Sequence, residues 1–522
     1  MPDSQPGKWS VVAFGLIFGA VFLLHLPLLR LPYFWDEAGY YIPAARDLLH
    51  TGRIVPQSTP SSGHPPLVMA YLAGWWKLVG FTPLVTRSAM VLASAFALLG
   101  VFRLAVRVSN RQIAIASTVC TGLYPVFFAQ STLAHIDLAA AGLTFWGLEC
   151  YFDKRMRSAA VWFSLAVLAK ETAILTPLAL LGWAALCPLL GRRFRTPVCD
   201  PGPVGHSPLL APLVVLAFWY GYHYWRTGYV FGNPEFFRYN VQSTTHPLRI
   251  VLALGMRIWQ VLGYLHLWVL TLLMGWAMTR SPIQDGAHER PRISLPVQFV
   301  FGAVLLTYVV AMAVVGGAVL ARYMLTVVPL VVILAVSTLW RRIRAWPGLV
   351  AIVCLAFVTG LFLNPPYGFS PEDNLAYRDY IDLHVEAEQF LQAHLPTARV
   401  LTAWPASDEL SQPYLGYINR PIPVVRIEDF SLEEIAASAD NRSKFDAVLI
   451  FSTKYDPAHA LLAAWGPWQR MKIRFFGYHR DLPPPVAAHL LSGRIVFHRE
   501  QRGQWIAVIQ LERDEEASLG PG

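Results

Sequence analysis

The sequence predicts a polytopic α-helical membrane protein carrying a soluble C-terminal α/β domain. Three observations carry this. The 522 residues are 55% hydrophobic and only 14% charged, with a mean hydropathy of +0.42. That is too apolar for an ordinary soluble chain of this length. Apolar runs of about 20 residues, enough to cross a bilayer as helices, recur from residue 11 to residue 363. Beyond Asn364-Pro365-Pro366 the pattern changes to short strand-like and helix-like segments.

Taken in order, the candidate spans are 11–29, 84–106, 112–129, 137–152, 158–172, 174–190, 208–226, 253–278, 297–316, 320–339 and 347–363, about eleven in all. The first follows only Lys8 as a basic residue and leads into Arg30-Leu31-Pro32-Tyr33 without a small-residue cleavage site, so it reads as a retained span. The net charge of +9 sits largely in short loops between spans, which is a topology signal and not a nucleic-acid surface. Arg107 and Arg111, the Lys154–Arg157 group, Arg192, Arg193 and Arg195, Arg280 to Arg292, and Arg341 to Arg344 all fall on one side if the N-terminus is cytoplasmic. The positive-inside rule then places residues 30–83 and 364–522 outside.

Within the outer loop 30–83, residues 65–80 are apolar but short and carry Lys77, so they read as an amphipathic helix on the membrane surface. The alternative, a further span, inverts every later loop. A second outer loop, 227–252, holds Asn233, Glu235, Arg238, Tyr239, Asn240 and His246, a composition suited to a sugar lid and equally to any interfacial loop. Four of the five cysteines lie in spans, Cys199 lies in a cytoplasmic loop, and no disulfide framework or metal-ligand spacing is implied. In the outer domain, 377–395, 432–438 and 457–465 read as helices, and 399–403, 446–452, 493–497 and 505–511 as strands. No glycine-rich phosphate loop follows the first strand.

Candidate functional residues collect at the outer ends of the spans. Asp36 and Glu37 follow the first span, and two acids at a membrane mouth are costly unless they act. Each also suits the start of a helix, Asp36 as cap and Glu37 in the first turn. Asp137 opens the fourth span as a substrate ligand, a cation partner or a cap, beside His135, which reads as a local hydrogen bonder. Lys170 and Glu171 form an apex between two spans, read either as a mutual ion pair or as a phosphate ligand and its tuning acid. Arg322 and Tyr323 open the tenth span. The arginine suits a bidentate grip on phosphate or snorkelling to headgroups, and the tyrosine suits an aromatic belt.

Trp35-Asp36-Glu37-Ala38, His64-Pro65-Pro66-Leu67, Leu168-Ala169-Lys170-Glu171 and Arg322-Tyr323, in this order and membrane placement, resemble a known family. It is the bacterial membrane glycosyltransferases of the dolichyl-phosphate-mannose–protein mannosyltransferase superfamily, including the lipid A aminoarabinose transferases and the lipopolysaccharide galacturonosyltransferases. The likeness runs over about residues 10–365. It implies a GT-C fold for residues 1–363, a soluble extracytoplasmic α/β domain over 364–522, and location in the bacterial cytoplasmic (inner) membrane. It also implies a polyprenyl-phosphate-linked sugar donor, and a lipid, glycan or protein acceptor at the outer face. Two positions differ from many relatives: His64 stands where Lys or Arg precedes the Pro-Pro pair, and Glu171 where Gly follows the lysine. A histidine there makes the phosphate contact weaker or pH-dependent.

The chemistry this implies is short. An acceptor hydroxyl must lose its proton to a carboxylate, for which Asp36 is the candidate base, with Glu37 and Asp137 orienting. Cations must steady the departing phosphate, for which Lys170, Arg322 and His64 are the candidates, with Glu171 and Tyr323 beside them. A single base suits inversion at the anomeric carbon. A divalent ion shared by Asp36, Glu37, Asp137 and His64 is compatible with these residue types, but no spacing assigns one, so no metal or cofactor is assigned. A transporter would explain the spans but not the outer domain or the acids gathered at one face. A non-enzymatic envelope scaffold would tolerate neutralising Asp36.

Overall fold

The structure is a computed structural model that describes residues 6–194, 205–234, 237–238, 244–455, 457 and 465–512. The chain divides into two compact units. The first comprises residues 1–30, 40–363 and 372–374, and the second comprises 31–39, 364–371 and 375–522.

The first unit is helical. Its long helices are Pro6–His25, Pro83–Val108, Arg111–Leu123, Ile136–Phe152, Met156–Ala169, Leu175–Phe194, Ala211–Thr227, Pro247–Leu262, Leu267–Met278, Leu295–Val314, Val328–Arg342 and Trp346–Phe362. Among the described residues, four helical segments are long and apolar enough to cross a membrane by length and composition: Val11–Leu28, Pro83–Val108, Pro247–Met278 and Leu295–Val314. The helices start where the sequence supplies caps. Thr82 accepts from the Val85 amide at 3.2 Å, and Asn110 from the Ile113 amide at 3.0 Å.

Three expected spans are interrupted, each for a local reason. Segment 112–129 breaks at Tyr124, because Pro125 removes a donor and drives Tyr124 out of the helical region (ψ 124°). Segment 253–278 kinks where Leu265 (φ 44°) and His266 (φ 69°) are both left-handed. Two such residues in succession cut the helical hydrogen-bond ladder. Segment 320–339 begins as a 3-10 turn, Ala321–Met324, and becomes α-helical only at Val328. The 65–80 segment forms the helix Leu67–Val79, preceded by Ile42–Thr51. Cys187 is disulfide-bonded, against the expectation of no disulfide, since a cysteine count fixes no pairing.

Four of the five basic loops meet at one end of this unit, while Arg195 of the fifth lies outside the described residues. Arg107 pairs with Asp153 at 2.7 Å, the Trp340 indole donates to Gln112 at 2.9 Å, and Arg341 pairs with Glu289 at 2.8 Å. A two-residue hairpin, β1 (Gln284–Asp285) with β2 (His288–Glu289), closes one of these loops. The helix Ile136–Phe152 runs from the opposite end, where Asp137 opens it, to Asp153 here, about 25 Å away at 1.5 Å per residue.

The second unit holds a five-stranded mixed sheet. Its strands are β3 (Val400–Ala403), β4 (Val424–Ile427), β5 (Ala447–Phe451), β6 (Gly493–Gln501) and β7 (Gln504–Leu511), in the order β4-β3-β5-β7-β6. β3 pairs parallel with β4 and β5, while β7 pairs antiparallel with β5 and β6. All of Ala447–Phe451 is buried, as its unbroken apolar run demands. The sequence reading misses β4, a short edge strand just after Pro421 and Pro423, and stops β6 early at a bulge between Ile495 and Phe497. It also misses the helices Ala406–Ser411, Gly466–Phe476 and Pro484–Leu490. Helix Ala376–His394 is where expected, whereas the segment 457–465 lies almost wholly outside the described residues.

Candidate active site

At the end of the first unit away from the basic loops, ionisable side chains from separate elements converge. Asp137, in the first turn of its helix, is favoured by the positive helix N-terminus. Lys170 ends helix Met156–Ala169 in an extended conformation, and its Nζ lies 2.5 Å from Asp137 Oδ1. Arg322, on the 3-10 turn, places Nε 3.4 Å from Asp137 Oδ2 and Nη1 2.5 Å from Glu372 Oε2. Gln130 ties in by donating to the Glu372 carbonyl at 3.1 Å. All four charged residues are 5% exposed or less. Two acids meet two cations, so these four charges sum to zero.

Around this core, His135 Nδ1 lies 2.8 Å from Gln130 Oε1 and 3.0 Å from Arg322 Nη1. Burial first, then the positive charges of Arg322, Lys170 and Arg87, hold this imidazole well below its ordinary range. The Tyr323 ring forms a cationic hub: Lys170 Nζ stands 4.0 Å from its centroid, and Arg257 and Arg322 stand 5.4 and 5.8 Å away. Arg257 donates to the Met312 and Leu320 carbonyls and to Gln260, but its Nη2 has no hydrogen-bond partner among the described residues.

His64 is placed by a strained turn. Gly63 has φ +74°, and a Cβ there would fall 2.5 Å from the Gly232 amide, so only glycine fits. The Trp219 indole donates to the Gly63 carbonyl at 2.9 Å. His64 then bonds Glu171 at 2.7 Å. The reading of Lys170 and Glu171 as a mutual pair is thus replaced: each takes a partner from another element. A small cleft beside His64 is lined by Tyr40, Tyr41, Ser61, Ser62 and Trp219.

Asp36 and Glu37 belong to the second unit, where the segment Leu31–Gly39 packs on the C-terminal sheet domain. Tyr33 donates its amide to the Leu415 carbonyl, and the Tyr417 hydroxyl donates to the Tyr33 carbonyl. Trp35 is held at φ 46°, edge-on to Tyr380 and Trp404 at 5.6 and 5.3 Å. A Cβ on Gly39 would fall 2.6 Å from the Trp404 ring. Glu37 is fully buried and accepts the Phe34 amide at 2.8 Å, so it fastens this turn. Asp36, between them, is partly exposed. A backbone held in a sparsely populated conformation beside a partly exposed acid is a common feature of working sites.

Sequence reasoning misses Arg257, Glu372 and Gln130. Arg257 had a signal, a cation inside an apolar span. Glu372 also had one, because Glu372-Asp373 after the last span repeats the arrangement of Asp36-Glu37 after the first. Nothing in the sequence marks Gln130. In the loop 227–252, Glu235, Tyr239 and Asn240 lie outside the described residues.

A helical bundle of this kind, with ionisable groups gathered at one end and a mixed-sheet domain, has the fold of the GT-C membrane glycosyltransferases. Residues 63–220 match the family described as dolichyl-phosphate-mannose-protein mannosyltransferase, as the motifs led one to expect. No curated protein sequence matches the chain. ArnT from Cupriavidus metallidurans bound to undecaprenyl phosphate is similar at 13% identity and a TM-score of 0.55, over 96% of this chain and 98% of that one. The apo state of the same protein is similar at 14% identity and 0.53, over 97% and 98%. At this identity the likeness is one of fold.

Proposed function

We propose that the chain is a glycosyltransferase that moves a sugar from a polyprenyl-phosphate carrier to an envelope acceptor at the outer face of the cytoplasmic membrane, with inversion. The observation that carries this reading is the buried gathering of Lys170, Arg322 and Arg257 around Tyr323, at the end of the bundle opposite the basic loops. Cations grouped there suit a phosphate that must leave with an electron pair. The ArnT structure bound to undecaprenyl phosphate supports a carrier of that chemical class.

In this reading Asp36 takes the acceptor proton, an assignment that rests on its place in the motif and on the strained turn beside it. The acceptor oxygen bonds the anomeric carbon as the carbon–phosphate-oxygen bond breaks, and the lipid monophosphate departs. Lys170, Arg322 and the open Nη2 of Arg257 carry its charge. Asp137 and Glu372 hold the two paired cations in register before donor arrives.

Membranes containing the protein, incubated with labelled polyprenyl-phosphate sugars and total envelope acceptors, are expected to transfer label. Absence of transfer to lipid, glycan and protein fractions alike overturns the reading. The sidedness is tested with a membrane-impermeant thiol reagent in a cysteine-depleted background. A cysteine at the exposed position Ser411 labels in intact cells, and one at exposed Ser281 does not. Labelling at Ser281 reverses the proposed topology.

A further inference from the structure

Far along the sequence from the motifs, the second unit buries a cluster that transfer chemistry leaves unused. Tyr380, His384 and Glu388 follow at i, i+4 and i+8 on one face of helix Ala376–His394. That face belongs in the core, yet two of the three positions are polar. Glu409 joins them from helix Ala406–Ser411, which follows strand β3. His384, Glu388 and Glu409 are 1%, 0% and 0% exposed.

The cluster is short of positive charge and of hydrogen-bond partners. His384 Nδ1 lies 2.6 Å from Glu409 Oε2 and 3.8 Å from Glu388 Oε1. Among the described residues no lysine or arginine pairs with either carboxylate. Among the described residues, both oxygens of Glu388, Glu409 Oε1 and His384 Nε2 find no standard hydrogen-bond partner, although the two carboxyl groups stand close enough to share a proton. Two carboxylates buried beside one imidazole carry a large desolvation cost unless something cationic joins them. Aromatic rings wall the site: Tyr380 stacks on His384 at 3.9 Å and Phe451 stands 4.5 Å away.

We propose that His384, Glu388 and Glu409 bind a divalent transition cation, Zn²⁺ in the first instance, as a structural staple between the two helices. The ligand atoms lie within 4.8 Å of one another. A tetrahedral Zn²⁺ with bonds of about 2.0–2.1 Å needs ligand atoms about 3.3 Å apart, between the 2.6 and 3.8 Å of the present pairs. One imidazole with two carboxylates is a nitrogen–oxygen set that zinc accepts, leaving a fourth position for water. Three protein ligands and a water are also the coordination of catalytic zinc, but full burial under aromatic rings closes this site to substrate, so the ion is assigned as structural. The alternative occupant is a proton shared between the two acids.

The test uses the full-length protein in detergent, purified without a histidine tag, and metal analysis by mass spectrometry. About one Zn²⁺ per chain is expected after dialysis against ZnCl₂ and removal of excess. The Glu388→Gln/Glu409→Gln double variant keeps the helix and volume but loses the anionic ligands. Its Zn²⁺ affinity, measured against a chromophoric chelator, should fall by more than about 100-fold, beyond the range of outer-shell changes. The Asp36→Asn variant should bind Zn²⁺ as the wild type does, which separates this ion from any at the transfer site. Chelation should lower the unfolding midpoint of the wild type and leave the double variant unmoved. No stoichiometric Zn²⁺ in the wild type, or equal binding by the double variant, overturns the proposal and leaves the shared proton.

Discussion

Asp137 and Glu372 lie buried among cations in the helical unit, whereas Glu388 and Glu409 lie buried beside a single imidazole in the sheet unit. The first cluster is closed in charge by Lys170 and Arg322, and its members come from several elements. The second is not closed, and its members come from two neighbouring helices. A buried acid survives only with a compensating charge or proton, so the two clusters pose different questions. In the first, the cations are already present and a substrate anion must compete for them. In the second, the missing charge is itself the prediction.

The largest effect should come from an acid in neither cluster. Asp36→Asn is expected to lower turnover at saturating donor by about 100-fold to 10,000-fold, the range for losing a general base. Donor binding should survive, because the change keeps size and no phosphate contact is removed. Glu37→Gln should cost less turnover, since Glu37 fastens its own turn. The reverse order would move the base to Glu37.

Next comes the closed cluster. Lys170→Met leaves Asp137 buried with only the longer Arg322 contact, and breaking a buried pair costs roughly 3–5 kcal/mol. A lower unfolding midpoint in detergent is therefore expected together with weaker donor use. The Lys170→Met/Asp137→Asn double variant should regain most of the stability but not the donor affinity. If it regains both, Lys170 serves structure alone.

A smaller effect tests the open cation. Arg257→Gln removes the unpartnered Nη2 donor and its charge. Loss of charge-assisted hydrogen bonds worth about 1.5–3 kcal/mol predicts donor affinity lower by about 10-fold to 100-fold in a titration. Unchanged affinity would leave the phosphate to Lys170 and Arg322.

The smallest effect belongs to His64, whose bond to Glu171 is only partly shielded, at 11% and 22% side-chain exposure. His64→Asn should cost about 1 kcal/mol of stability. Turnover should change by no more than about 10-fold. A larger loss of turnover would restore a direct phosphate contact for His64.

Much of this was legible because the signals are local. Helices lie where long apolar runs predicted them, and their caps are written in Thr82 and Asn110. The breaks at Tyr124 and at Leu265-His266 differ in this respect. The first is announced by Pro125, and the second has no proline to announce it. Asp137, Lys170 and Arg322 stood out as ionisable groups at span ends, although their pairing did not. Glu372 and Arg257 carried weaker versions of the same signal, and Gln130 carried none.

By itself the sequence determined the recurrent apolar runs, the basic loops between them, the motif order and a sheet-bearing region after residue 364, because hydropathy and charge act over a few residues at a time. Only the tertiary structure decided that Lys170 meets Asp137 and not Glu171, and that Arg322 bridges Asp137 to Glu372. It also decided that residues 31–39 pack with the C-terminal unit and that His384 and Glu388 meet Glu409. Those pairings join residues tens to hundreds of positions apart. Which acid finds which cation is set by where whole helices and strands pack, and buried charge makes that choice costly to change.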